Sequence, residues 1–263
     1  MTYQVDAIPA LSDNYIWCIH DTVSKAALIV DPGEAAPARD FLDRNGLTLE
    51  AILLTHHHPD HTQGLGKLVG DSGLPVHGPA DSPFGGITNT LREGDTLTWR
   101  ELSFQILAVP GHTRDHIAFN SDSSVLRQPI TFCGDALFAC GCGRLFEGNP
   151  GQMRASLAKL REWPDKTLVC CGHEYTRANV AFARAVTPDD TELAEYQSKV
   201  EQLLGAGQPT VPTTLGQERR FNPFMRWDDP DVVSAAETRA GQQGLDGDHV
   251  FAIIREWKDG FCG

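Results

Sequence analysis

The sequence predicts an α+β fold: two stacked β-sheets with helices on both outer faces, followed by an all-helical domain. Two features of the apolar pattern predict it. Up to about residue 173, short apolar runs punctuated by Gly, Asp and Pro alternate with a few stretches of helical periodicity. Beyond that point the remaining segments have helical periodicity only. We therefore expect two domains, over 1–173 and 174–263.

The predicted strands are short runs of apolar and β-branched residues. They cover 15–20, 26–30, 51–55, 74–77, 96–99, 102–109, 116–120, 130–133 and 167–171. Helices are predicted where apolar residues recur three or four positions apart. They cover 36–45, 64–70, 152–163, 177–186, 191–204, 231–241 and 249–256. The segment 206–224 is rich in Pro, Thr and Gly, so we expect an irregular crossing there.

The overall charge limits the partners. The chain has 263 residues with 22 basic and 35 acidic side chains, a net charge of -13. This charge disfavours nucleic acid, because binding to phosphates needs a cationic surface. No stretch approaches the roughly 18 apolar residues of a membrane span. The first residues have neither the basic region nor the long apolar region of a signal peptide. We expect a cytoplasmic monomer that acts on a small molecule and binds neither nucleic acid nor membrane.

The seven cysteines are an odd number and follow no zinc-finger spacing, so we interpret them as reduced thiols. Cys140 and Cys142 flank a glycine and could form a metal or redox pair. Small buried residues that pack a tight loop are the simpler interpretation, which we adopt.

A metal site is indicated by residues 55–61, which read T-H-H-H-P-D-H directly after the apolar run 51–54. They supply four ligand-type side chains, His56, His58, Asp60 and His61. Alternate residues of an extended segment can converge, and the turn at Pro59 brings in the last of them. A histidine tag or a solvated loop is the alternative, which the internal position after a strand disfavours. One catalytic metal usually takes three protein ligands and keeps a position for water, so four suggest two metals.

Three further ligand-type residues each follow a short apolar run and a glycine. They are His112, Asp135 and His173. Glycine there permits the sharp turn that a packed metal cleft needs. We assign two ligand sets: His56, His58 and His112 for one metal, and Asp60, His61 and His173 for the other. Asp135 bridges the two ions, because its two oxygens can each serve one cation. Such ligands suit zinc first, with iron or manganese as alternatives.

This arrangement indicates hydrolysis. Water held between two metals has its pKa drawn toward neutrality and becomes hydroxide, a nucleophile. Asp60 can orient that nucleophile, and the second metal stabilises the oxyanion formed when a carbonyl is attacked. Asp60 and Asp135 are therefore the candidate catalytic residues, and no serine or cysteine nucleophile is required.

The metal motif resembles that of the metallo-β-lactamase superfamily, and the whole chain resembles the glyoxalase II, or hydroxyacylglutathione hydrolase, family. Besides the metal motif, the matching segments are S-D-N-Y-I-W (12–17), V-D-P-G (30–33), P-G-H-T (110–113), G-D-x-L-F (134–138), G-C-G-R-L-F-E-G (141–148), C-G-H-E-Y-T (171–176) and F-N-P-F-M-R (221–226). The resemblance implies a four-layer αββα metallo-β-lactamase-like sandwich with a C-terminal helical domain. It also implies cleavage of S-D-lactoylglutathione to D-lactate and glutathione in methylglyoxal detoxification. A thiolate with a pKa of about 8.5 leaves without a strong general acid, which fits a thioester substrate.

The resemblance also implies which residues bind glutathione. The matching positions here are Arg144, Phe146, Tyr175, Arg255 and Lys258. Arg255 and Lys258 share one helix face by their spacing. The family commonly has Lys and Tyr where this chain has Arg144 and Phe146. Arg144 keeps the positive charge, whereas Phe146 lacks a hydroxyl group, so we expect one fewer substrate hydrogen bond, worth about 0.5 to 1.5 kcal/mol.

Other functions stay open from the sequence. A β-lactamase or an RNA-processing nuclease of the same superfamily is disfavoured by the expected cytoplasmic location and by the acidic charge, respectively. A mononuclear iron dioxygenase of the same superfamily, acting on glutathione persulfide, would lack the ligands of the second metal. Asp60, His61 and His173 are all present, which disfavours it. A metal-binding protein that has lost catalysis is the other alternative.

Three polar residues near the ligands have other expected roles. His57 points away from its neighbours by strand alternation, so we expect it to be packed or hydrogen-bonded. His116 could support a ligand from behind. Asp31 in V-D-P-G either forms a turn or, as the resemblance suggests, supports the metals from beneath.

Overall fold

The structure, a computed structural model, describes residues 3–262. It contains two compact units. The first comprises the chain up to Ala108 together with Asp115–Gly134 and Cys170–His173. The second comprises Val109–Arg114, Asp135–Val169 and the chain from Glu174 onward.

The first sheet lies wholly in the first unit. Its strands are β1 Tyr3–Ala10, β2 Asn14–Asp21, β3 Ala26–Val30, β4 Thr48–Leu53, β5 Val76–Pro79 and β6 Asn89–Leu91, in the order β1-β2-β3-β4-β5-β6. β1 to β3 pair antiparallel and β3 to β6 pair parallel. Because β3 and β4 run parallel, Asp31 and the 55–61 segment follow their strands at the same edge of the sheet.

Helices cover one face of this sheet. They are α1 Ala35–Asn45, the single turn α2 Pro59–Thr62, and α3 Leu65–Val69. Ala38 and Leu42 of α1 pack into an apolar cluster with Ile29 of β3. Leu65 of α3 packs in a second cluster with Ile52 of β4. The apolar side chains between these helices and the sheet are buried away from water. This burial is the main stabilisation that such packed layers obtain.

The remaining strands are β7 Thr96–Trp99, β8 Leu102–Ala108, β9 Ile117–Ser121, β10 Ile130–Gly134, β11 Leu137–Phe138, β12 Gly141–Cys142, β13 Leu168–Cys171 and β14 Thr213–Thr214. The second sheet has the order β14-β13-β10-β9-β8-β7, and β11 and β12 form a separate hairpin. Within the first unit the two sheets face each other: the ring of Trp17 lies 6.3 Å from that of Phe132, and its Nε1 donates to the carbonyl of Cys171 at 2.9 Å. The predicted stacking of two sheets is confirmed.

The second unit is built mainly of helices. They are α4 Pro150–Arg161, α5 Thr176–Val186, α6 Thr191–Gly205, α7 Leu215–Phe221, α8 Pro230–Ala240 and α9 Gly247–Asp259, with a 3₁₀ turn at Pro223–Met225. Aromatic rings form much of its core. Phe182 of α5 lies 5.3 to 6.0 Å from the ring centroids of Phe224, Trp257 and Phe261. The helices predicted over this part of the sequence are confirmed, with ends shifted by a few residues.

The prediction of an irregular crossing over 206–224 is partly wrong. The segment contains α7 and the two-residue strand β14. Thr214 caps α7, because its hydroxyl accepts a hydrogen bond from the backbone N–H of Gln217 at 3.2 Å. That capping signal was hidden by the Thr- and Gly-rich composition.

All seven thiols are free, and six of them are buried, including Cys140 and Cys142 in the β11-β12 hairpin. This agrees with their interpretation as small packing residues. Among residues 3–262, no helix is both long and apolar enough to cross a membrane.

Candidate metal centre

The residues of the 55–61 segment converge after β4. Pro59 starts α2 and His58 occupies the position before it, so the chain turns from an extended to a helical path inside the motif. The ring centroids of His56 and His58 lie 4.8 Å apart, and those of His56 and His61 lie 4.3 Å apart. His56 and His61 are each 1% exposed. The segment therefore presents several imidazoles to one small volume.

A second group joins this segment to a distant part of the chain. Asp60, His61 and His173 each offer a ligand atom within 4.8 Å of the others. Oδ2 of Asp60 lies 3.5 Å from Nε2 of His61 and 3.3 Å from Nε2 of His173. His173 reaches this place because Gly172, the preceding residue, donates its N–H to Gly134 at 2.9 Å. Three donors facing one point is the geometry of a metal-binding group.

The opposite nitrogen of each ring is held by the protein. Nδ1 of His61 lies 3.0 Å from a carboxylate oxygen of Asp31, and Nδ1 of His173 lies 2.8 Å from Asp13. Nδ1 of His56 lies 3.0 Å from the Thr55 hydroxyl, whose own proton goes to Asp31. Each Nδ1 therefore carries the proton, since its partner can only accept. Nε2 then presents a lone pair, the state that a metal ligand requires.

Asp31 combines the two roles that the sequence left open. Its backbone is left-handed, with φ 51°, as in a turn. One carboxylate oxygen accepts the N–H of Thr55 at 2.8 Å, and the other accepts the Thr55 hydroxyl at 2.7 Å as well as the His61 ring. Both oxygens of Asp31 already accept hydrogen bonds, and through them Asp31 holds Thr55 and the His61 ring in place.

Two further histidines of the first unit support this group. Nδ1 of His57 lies 2.9 Å from a carboxylate oxygen of Asp115, which confirms that His57 is hydrogen-bonded. His116 stacks on His56 at 4.5 Å with 12° between the ring planes. The stack limits rotation of the His56 ring, which is the supporting contact considered for His116.

Sequence reasoning gave no role to Asp13 and Asn14, at the tip of the β1-β2 hairpin. Asp13 holds the His173 ring, and Asn14 donates to Oδ2 of Asp60 at 3.0 Å and to its carbonyl at 3.3 Å. The available signal was the pair of polar residues in S-D-N, which interrupts an otherwise apolar stretch.

The second unit contains His112 and Asp135, and they lie together. Nε2 of His112 is 3.4 Å from Oδ2 of Asp135, and both residues are buried. Nδ1 of His112 donates to the carbonyl of Arg144 at 2.8 Å. As in the three imidazoles of the first unit, Nδ1 of His112 is hydrogen-bonded to a protein oxygen. Its Nε2 faces the Asp135 carboxylate.

The five glutathione-binding candidates also lie in the second unit, in two kinds of environment. Phe146 is 65% exposed and its ring edge faces His112 at 5.3 Å, and Tyr175 is 39% exposed and packs on Phe138. The Arg144 side chain is 68% exposed. These three residues are open to a ligand.

The two cations of α9 are more enclosed. Arg255 is 4% exposed and donates to the carbonyl of Cys142 and to Asp259, at 3.0 Å each. Lys258 donates to the carbonyl of Ala178 at 2.9 Å and lies over the Phe182 ring. Burial, together with the guanidinium groups of Arg255 and Arg144, lowers the pKa of Lys258 to about 8.

Known proteins resemble both parts of the sequence. Residues 16–173 match the metallo-β-lactamase superfamily and residues 174–261 match the C-terminus of hydroxyacylglutathione hydrolase. A hydroxyacylglutathione hydrolase of Cupriavidus taiwanensis is 50% identical, covering 98% of this chain and 99% of its own. One of Nitrosomonas eutropha is 47% identical, with the same coverage.

Among solved structures, that of ETHE1 from Myxococcus xanthus has a TM-score of 0.66 at 26% identity, covering 97% of this chain and 90% of its own. Together with the family matches, this confirms the predicted fold class, a metallo-β-lactamase-like sandwich with a C-terminal helical domain.

Proposed function

Because the chain belongs to the hydroxyacylglutathione hydrolase family, we propose that it hydrolyses S-D-lactoylglutathione to D-lactate and glutathione. The observation that carries the proposal is sequence similarity to hydroxyacylglutathione hydrolases over nearly the whole chain, which includes both the metal motif and the C-terminal helices. The reaction would serve methylglyoxal detoxification, carried out by a cytoplasmic monomer. The division into a catalytic domain over 1–173 and a substrate-binding domain over 174–263 is part of the same proposal.

We propose that two divalent ions act in this reaction, zinc in the first place, with iron or manganese as alternatives. The proposed ligands are His56, His58 and His112 for one ion, Asp60, His61 and His173 for the other, and Asp135 for both. In the first unit, support comes from the imidazoles that present Nε2 while a protein group holds Nδ1. For His112 and Asp135, support comes from the motif and from family membership.

When bound, the two ions lower the pKa of a water molecule and polarise the thioester carbonyl. The residues around them keep the ligands in place. Asn14 holds the Asp60 carboxylate through Oδ2, so that carboxylate can orient the attacking water and accept its proton. Asp13 and Asp31 hold the rings of His173 and His61 and make their free nitrogens better ligands.

We propose that Arg144, Phe146, Tyr175 and Lys258 contact the glutathione part of the substrate. Arg144 and Lys258 provide positive charge for its carboxylates, which an acidic protein otherwise repels. Phe146 and Tyr175 provide ring surface. Arg255 would act from beneath, since its guanidinium group is buried and already bound to Cys142 and Asp259.

A test measures thiol release from S-D-lactoylglutathione and metal content on one sample. We expect two divalent ions per chain and steady thiol release. His61→Ala should lose both metal and activity, whereas His249→Ala should lose neither, since the His249 side chain is 68% exposed on α9. One tightly bound iron per chain, with oxygen uptake on glutathione persulfide and no thiol release, would establish the dioxygenase alternative. A metal-loaded protein without either activity would establish the non-catalytic one.

A further inference from the structure

The β11-β12 hairpin is held through its backbone by buried side chains of the second unit. Four residues do this: Asn222 donates to the carbonyls of Phe138 and Gly141 at 3.2 and 2.9 Å, Asn179 donates to Ala139 at 3.1 Å, Glu218 accepts the N–H of Cys140 at 2.7 Å, and Arg255 donates to Cys142. Each of the five consecutive residues 138–142 thus has a backbone group bound by a side chain from α5, α7, α9 or the residue after α7.

These side chains are removed from solvent. Glu218 and Asn222 are 0% exposed, and Asn179 is 5% exposed. Glu218 and Asn222 also bind each other at 2.9 Å, and Thr213 donates to the second Glu218 oxygen at 2.9 Å. A buried carboxylate and amide are costly unless their hydrogen bonds are made. Three of the hydrogen bonds that satisfy Glu218 and Asn222 are made to the hairpin, so its position against α7 is fixed by the need to keep them.

The hairpin lies between one proposed metal ligand, Asp135, and the residues that support another, His112. Asp135 precedes β11, and Gly143 follows β12. Gly143 lies so close that a Cβ atom there would overlap the carbonyl oxygen of Asp135 and come within 2.9 Å of Nδ1 of His112. The next residue, Arg144, accepts the hydrogen bond from that same Nδ1. A displacement of the hairpin would therefore move the support of His112 and the backbone of Asp135 together.

We infer that Glu218, Asn222 and Asn179 are positioning residues for the metal centre, acting through the β11-β12 hairpin on His112 and Asp135. The C-terminal helices would then set metal affinity as well as bind glutathione. The inference rests on the proposed function only in taking His112 and Asp135 as metal ligands. It requires no particular substrate.

The test loads purified wild-type protein and variants with Zn²⁺ and follows the transfer of zinc to a coloured chelator. We expect Asn179→Ala, Asn222→Ala and Glu218→Leu to release zinc about 10- to 100-fold faster, the range found when outer partners of metal ligands are removed. Glu218→Gln keeps an oxygen for the Cys140 N–H, so it should stay within about threefold of the wild type. In the three disruptive variants kcat should fall while KM changes little.

Two control variants separate positioning from loss of stability. Val232→Ala removes buried volume from α8 away from the hairpin, and Arg220→Gln removes surface ion pairs from α7 itself. Both should release zinc at the wild-type rate, although Val232→Ala lowers the unfolding temperature. Zinc release by Asn179→Ala no faster than by Val232→Ala would overturn the inference. Should Glu218→Leu fail to fold, Asn179→Ala and Asn222→Ala decide the matter.

The zinc measurement contains no substrate, so it is independent of the proposed reaction. A wild type that retains zinc but releases no thiol from S-D-lactoylglutathione contradicts the proposed function and leaves the zinc comparison valid. A wild type that retains no zinc contradicts both.

Discussion

The imidazoles of the first unit and the glutathione-binding candidates of the second are held in opposite ways. His56, His61 and His173 are at most 4% exposed, and each has its Nδ1 tied to a neighbouring oxygen. Arg144, Phe146 and Tyr175 are much more exposed. The difference agrees with the proposed roles: the side chains proposed for chemistry are fixed before the substrate arrives, as catalysis by preorganised charges requires. The side chains proposed for recognition keep the freedom to adapt, at some cost in entropy on binding.

The largest effect should come from the carboxylate proposed to bridge the metals. Asp135→Ala removes a ligand and a negative charge between two cations, so we expect metal release and a loss of turnover of at least about a thousandfold. Elemental analysis and thiol release measure the two effects. A variant that keeps both metal and turnover would refute the bridging role.

A smaller effect is expected from Asp13, which binds no proposed metal directly. Asp13→Ala frees the His173 ring, so metal affinity or activity should fall about 10- to 100-fold. Zinc competition with a chelator measures it, with Asp43→Ala on the exposed side of α1 as the matched carboxylate control. Equal affinity in the two variants would mean that the fixed orientation of His173 has no consequence.

On the recognition side, the charge of Lys258 should give glutathione affinity a pH dependence. Its pKa is lowered to about 8 from the usual 10.5, so the ammonium group is present below about pH 8 and is lost as pH rises through that value. KM should therefore increase above pH 8 in the wild type. In Lys258→Arg, KM should stay nearly constant, because arginine remains charged. A parallel rise in both proteins would assign the titration to another group.

The smallest effect is expected from Phe146→Tyr, which adds one hydroxyl to an exposed ring. KM should fall about two- to tenfold, equal to one hydrogen bond, with kcat unchanged. A change in kcat instead would indicate that this ring affects the metal centre through its contact with His112.

The candidate metal ligands could be picked out of the sequence because their signal is local. Four of them lie within 55–61, and the others each follow a strand and a glycine. The residues that hold these ligands could not be predicted in the same way. Asp13 meets His173 across 160 positions of sequence, and only the strand order brings them together. No spacing or periodicity encodes that contact.

The fold shows the same limit. β3 is wholly apolar and β2 is apolar from Tyr15 to Ile19, and both were predicted, whereas β1 was missed because half-exposed residues occupy its middle. The hairpin contacts of Asn179, Glu218 and Asn222 were also missed. Asn179 lies on a predicted helix, where an isolated polar residue looks solvent-facing until tertiary packing buries it. Glu218 and Asn222 lie in the segment that was predicted to be irregular.

Gly33 illustrates how far the metal motif depends on its surroundings. A Cβ atom at this position would overlap the carbonyl oxygen of Asp60, so the V-D-P-G loop and the 55–61 segment occupy one shared space. A designer who transplants the histidine segment alone onto another scaffold would lose both this close approach and the Asp31 support. The transferable unit is the pair of segments, 30–33 and 55–61, carried on two adjacent parallel strands.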